Sequence, residues 1–125
     1  MNRQNLLIIE DCKEVRENLA EILELYGYIV TSVANGKEGI KACLAQPPDL
    51  VLCDVKMPEM NGYDVLKLLS KNKYTAGIPF VFITAKTEPN EILLGMQLGA
   101  HAYITKPFYK DELLQVVRDR LERVV

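Results

Sequence analysis

Leu50-Val51-Leu52-Cys53-Asp54-Val55-Lys56-Met57-Pro58-Glu59-Met60-Asn61-Gly62 is the stretch on which the fold turns. Four apolar residues run without polar alternation into an acid. Such a run reads as a strand buried on both faces. Met57-Pro58 and Asn61-Gly62 are turn chemistry. Asn-Gly is also a hairpin signal, but its flanks do not alternate, so the loop leads into a helix carrying Val65, Leu66 and Leu69. The unit is therefore strand, acid, loop, helix.

The same unit recurs in both directions. Leu6 to Ile9, Ile29 to Val33, Phe80 to Ile83 and Ala102 to Ile104 read as further strands. Val15, Leu19, Ile22, Leu23 and Tyr26 share one face of a helix that Gly27 stops. A second helix runs from about Lys37 to Ala45 and is closed by Pro47-Pro48. A fourth follows Pro89, with Ile92, Leu93 and Met96 toward the core and Leu94 and Leu98 away from it. A fifth begins near Lys110 and carries Leu113, Val117, Leu121 and Val124. Five β-α units predict a single α/β domain, (βα)5, with a doubly wound parallel sheet and right-handed crossovers. The flavodoxin-like strand order 2-1-3-4-5 is the leading candidate.

Composition narrows the function. The chain has 125 residues, 49% of them hydrophobic, enough for one core without staples. Fifteen basic residues against 17 acidic ones give a net charge of -2, with no basic run. This argues against nucleic acid as a direct partner. Cys12, Cys43 and Cys53 are irregularly spaced and suit reduced thiols in a cytoplasmic protein. The sole His, His101, has no zinc partner nearby in sequence. No apolar run is long enough for a membrane span or a signal peptide.

Ligands of open parallel sheets bind beyond the carboxyl ends of the strands. Those ends carry Glu10-Asp11, Asp54, Thr84 and Thr105-Lys106-Pro107. Strands lie roughly 4.8 Å apart, so Glu10, Asp11 and Thr84 fall one spacing from Asp54, and Lys106 roughly 10 Å away, a gap a long Lys side chain can largely cross. Crowded carboxylates raise a pKa or bind a cation. An all-oxygen site with few carboxylates suits Mg²⁺. A metal, a Lys and a hydroxyl around one carboxylate make a charge cage for phosphoryl transfer, with Asp54 as nucleophile. Taken singly, Asp11 reads equally as a helix cap, Asp54 as a polar strand end and Lys106-Pro107 as a turn. Their coincidence at one edge favours the cage.

These motifs together, Glu10-Asp11, Asp54 to Gly62, Thr84-Ala85 and Lys106-Pro107-Phe108, resemble the receiver domain of two-component response regulators over residues 1–125. The resemblance implies that Asp54 accepts phosphate from a phospho-histidine on a histidine kinase or phosphotransfer protein. It implies Mg²⁺ on Asp11, Asp54 and the Lys56 carbonyl, with Glu10 acting through water. Lys106 would pair with the phosphoryl oxygens, after a cis Lys106-Pro107 bond. Thr84 and the amides of Lys56 and Ala85 would complete the cage, and Thr84 and Tyr103 would form a switch. The kinase would dock near Cys12, Val15 and Arg16. Output would pass to a downstream protein or to an effector domain outside these residues. Lys56 and Lys86 flank the approach of water and would slow dephosphorylation. The segment Gly99 to Tyr103 lacks the acidic pair of receivers that dimerise there, which argues against that dimer.

Three other readings compete. A haloacid-dehalogenase-like phosphatase needs a second Asp where Lys56 stands. A flavin-binding protein needs a hydroxyl- and glycine-rich loop where Cys12-Lys13-Glu14 stands. A docking module without phosphorylation would not need Asp11, Asp54, Thr84 and Lys106 together.

Overall fold

A computed structural model describes residues 3–85 and 88–122. Five strands and five helices alternate: β1 Asn5–Ile9, α1 Lys13–Leu25, β2 Ile29–Val33, α2 Gly36–Ala45, β3 Leu50–Cys53, α3 Gly62–Ser70, β4 Phe80–Thr84, α4 Pro89–Gln97, β5 Ala102–Thr105 and α5 Lys110–Glu122. All pairings are parallel, in the order β2-β1-β3-β4-β5, as the alternation predicted. The reversal of winding falls between β1 and β3, which puts the ends of those two strands at the crevice.

Successive strand residues face opposite sides of the sheet. Leu7, Ile9, Val51, Cys53, Phe80 and Phe82 pack toward α2 and α3. Leu6, Ile8, Leu50, Leu52, Val81 and Ile83 pack with Leu19 and Leu23 of α1 and Leu113, Val117 and Leu121 of α5. The central strands β1, β3 and β4 are buried on both faces, which explains their unbroken apolar runs. β2 departs from that reading. It is an edge strand, with Ile29, Thr31 and Ser32 exposed. The Thr-Ser pair inside the run was the available signal.

α4 also differs from the periodicity. Leu93 and Met96, expected toward the core, are exposed, while Leu98, expected away from it, packs against the core. Apolar residues surround this helix on most sides, so hydrophobicity alone does not select a face. Gly95 favours the observed face: a Cβ there would lie 2.6 Å from the Tyr103 hydroxyl, so any larger residue would push the Tyr103 side chain aside. Val124 of the expected α5 pattern lies outside the described residues.

Candidate functional site

Each acid is placed by a strand that has just ended. Asp54 N–H donates to the Ile9 carbonyl at 3.0 Å, which carries the β1–β3 ladder one residue beyond β3 and fixes Asp54 beside Glu10. The loop then turns through Glu59, whose φ of 68° is left-handed and costly for a non-glycine residue. Asn61 caps α3: its side chain accepts from Asp64 N–H at 2.9 Å, and Asp64 accepts from Asn61 N–H at 3.2 Å. This confirms the loop-into-helix reading of Asn61-Gly62. Gly62 itself is pressed onto the site. A Cβ there would lie 2.3 Å from the Asp54 carbonyl oxygen, a contact no side chain tolerates.

The carboxylates of Glu10, Asp11 and Asp54 offer oxygens within 4.8 Å of one another. Glu10 is fully buried, Asp54 nearly so, and Asp11 is exposed. Lys106 crosses from the end of β5, with its Nζ 3.2 Å from Asp54 Oδ2 and 2.5 Å from Glu10 Oε1. Sequence reasoning reached the Asp54 contact but not the Glu10 one. The longer acid at position 10 spans the gap that separates it from Lys106. Burial, with the nearby Asp54 charge, raises the Glu10 pKa to about 7 against the lowering pull of Lys106. Burial works to lower the Lys106 pKa, but Glu10 and Asp54 outweigh it and the net shift is upward. Three carboxylates and one ammonium leave up to two negative charges in a crevice lined by oxygen ligands. A divalent cation that favours oxygen matches that set. Magnesium fits these residues.

Thr84 is buried at the end of β4, and Lys106 N–H donates to its carbonyl at 2.9 Å. The Lys106–Pro107 bond is cis. Lys56 and Ala85 are exposed at the rim, and Lys86 lies outside the described residues. Tyr103 was expected to form a switch with Thr84. In this structure its ring packs on Phe82, centroids 5.2 Å apart, and its hydroxyl donates to the Glu91 carbonyl of α4 at 3.1 Å. Tyr63, which sequence reasoning missed, explains that position. Its hydroxyl lies 3.2 Å from that of Tyr103 and 3.1 Å from the same carbonyl. Arg16, expected on a docking surface, is half-buried and turns back onto the Glu10-Asp11 backbone.

The family model for the response regulator receiver domain matches residues 6–118. The chain is 38% identical over 121 residues to the DNA-binding response regulator MtrA of Mycolicibacterium paratuberculosis, covering 97% of this chain and 52% of that protein. It thus spans about half the length of the curated relatives it matches. The receiver domain of a signal transduction histidine kinase from Syntrophus aciditrophicus superposes with a TM-score of 0.89 at 34% identity, covering 97% of this chain and 92% of that one. The receiver domain of sensor histidine kinase PA1611 from Pseudomonas aeruginosa PAO1, described with magnesium in its active site cleft, gives 0.90 at 25% identity over 97% and 99% of the two chains. The parallel five-stranded fold with acids and a Lys at one edge defines a phospho-acceptor module of two-component signalling. This chain belongs to the response regulator receiver domain family.

Proposed function

We propose that Asp54 is the acceptor residue, and that it takes a phosphoryl group from a phospho-histidine of a histidine kinase or phosphotransfer protein. The supporting observation is the Lys106 ammonium 3.2 Å from the Asp54 carboxylate, inside a trio of acids. Glu10, Asp11, Asp54 and the Lys56 carbonyl would hold Mg²⁺, which when bound offsets charge on the phosphoryl oxygens. Asp54 attacks phosphorus, an O–P bond forms, and the N–P bond to the histidine breaks as its imidazole leaves. Lys106 exchanges its carboxylate partners for phosphoryl oxygens, and the Thr84 hydroxyl with the Lys56 and Ala85 amides donates hydrogen bonds to the remaining charged oxygens. The chain thereby catalyses its own phosphorylation.

A cleft lined by Val15, Asn18, Ala85, Lys106, Pro107 and Phe108 borders the site and suits the incoming donor domain. Thr84 and Phe82 lie two residues apart on one face of β4, and Phe82 touches both Tyr63 and Tyr103. Movement of Thr84 toward a phosphoryl group would reach α4 by that route. The altered surface is read by a downstream protein or an attached effector domain, in the cytoplasm, with no direct nucleic-acid or membrane contact by this domain. Lys56 at the rim has no lone pair to orient water when charged, which favours slow dephosphorylation.

Incubation with acetyl phosphate and Mg²⁺, followed by intact mass, tests the reading. One phosphoryl group should add to the parent and none to Asp54→Asn or to parent in EDTA. Equal labelling of Asp54→Asn would sink it.

A further inference from the structure

Arg16 sits in the second turn of α1, and its side chain runs back toward the loop that precedes the helix. Nη1 donates to the Glu10 carbonyl at 2.8 Å and reaches the Asp11 carbonyl at 3.4 Å. Two facts set it apart from ordinary surface charge. A cation near a helix N-terminus is opposed by the helix dipole. Among the described residues, no salt bridge offsets that cost at Arg16. Among the described residues, its hydrogen bonds go to backbone oxygens.

The position of those oxygens gives the reason. The last β1–β3 ladder bond is the one from Asp54 N–H to the Ile9 carbonyl. Beyond it the chain leaves the sheet, and the carbonyl of the fully buried Glu10 needs another donor. Arg16 supplies it. The Glu10 carboxylate meanwhile accepts from Cys12 N–H at 3.2 Å. The loop that carries two of the three acids is thus tied at Glu10 and Cys12, and its far tie is Arg16.

We propose that Arg16 is a positioning residue of the cation site: it holds the Glu10-Asp11 backbone so that both carboxylates converge with Asp54 on one ion. This rests on the reading of the acidic trio given above. The guanidinium acts through geometry against its own charge, because a nearby positive charge by itself repels a cation. Positioning and charge therefore predict opposite signs when Arg16 is replaced.

Mg²⁺ titrations of the full chain, followed by backbone amide shifts in NMR, separate the two. Thermal melts in EDTA run beside them. Losing one hydrogen bond from a charged donor should raise the Mg²⁺ Kd about tenfold in Arg16→Met. Arg16→Lys, which keeps a donor but loses the fork, should fall between parent and Arg16→Met. Amide shifts away from the β1–α1 loop should stay parental in both. A Kd in Arg16→Met equal to or tighter than the parent's overturns the proposal, even if the melting temperature falls. Should Arg16→Met fail to fold, a parental Kd in Arg16→Lys overturns it instead. If the parent shows no Mg²⁺-dependent shifts, the reading of the acidic trio falls, and the role of Arg16 with it.

Discussion

His101 is the one histidine of the chain, and its surroundings give it a measurable signature. Its Nδ1 accepts from Phe80 N–H at 3.0 Å, at the end of β4 remote from the acids. Burial, and after it the Arg120 charge on α5, lower its pKa from 6.5. A base whose folded pKa is depressed contributes stability above its unfolded pKa. That contribution is lost as pH falls through 6.5 toward the folded value. Parent should therefore lose more stability between pH 7.5 and 5.5 than His101→Asn, whose amide oxygen can still accept from Phe80. Urea unfolding at the two pH values measures the difference; parallel losses in both proteins would remove His101 from the account.

At the scale of elements, the seam between α3, α4 and β5 is held by two tyrosines. Tyr63 and Tyr103 bring two hydroxyl protons to three contacts: one with each other and one each with the Glu91 carbonyl. At most two of the three can be made at once, so the seam is satisfied without being rigid. Both rings lean on Phe82, Tyr63 edge-on at 5.3 Å. Tyr63→Phe keeps the ring and removes one proton. It should cost about 0.5–1.5 kcal/mol and loosen α4 locally. Hydrogen exchange of α4 amides should speed up about fivefold, while α1 and α5 stay protected. Uniform acceleration along the chain would show the loss to be global instead.

For the molecule as a whole, a cation that binds only the folded acids stabilises the fold by mass action. At ten times its Kd the gain is about 1.4 kcal/mol, or roughly 3–6 °C in melting temperature for a domain of this size. Adding Mg²⁺ to the parent should give that shift and EDTA should reverse it. Asp11→Ala should abolish most of it, because Asp11 is the exposed member of the trio and is expected to serve the ion more than the core. A full shift in Asp11→Ala would place the ion elsewhere.

The sequence by itself determined the five β-α units, their burial in the central strands, and the placement of acids, hydroxyl and Lys at one edge. Each of these is written in periodicities and turn signals only a few residues long, or follows from the rule that parallel strands share a carboxyl edge. Asp54, Glu10, Asp11, Thr84 and Lys106 were legible for that reason. The tertiary structure alone decided what depends on distant parts of the chain meeting. The Glu10–Lys106 pair joins residues 96 apart, and the Tyr63–Tyr103 contact joins residues 40 apart. α4 was misread because its apolar residues surround it, and the fit of Gly95 on Tyr103 favoured the observed face. The inward tie of Arg16 was not legible, because a charged residue on a helix is ordinarily solvated. Only the carbonyl left over at the end of β1 gave it a reason to turn inward.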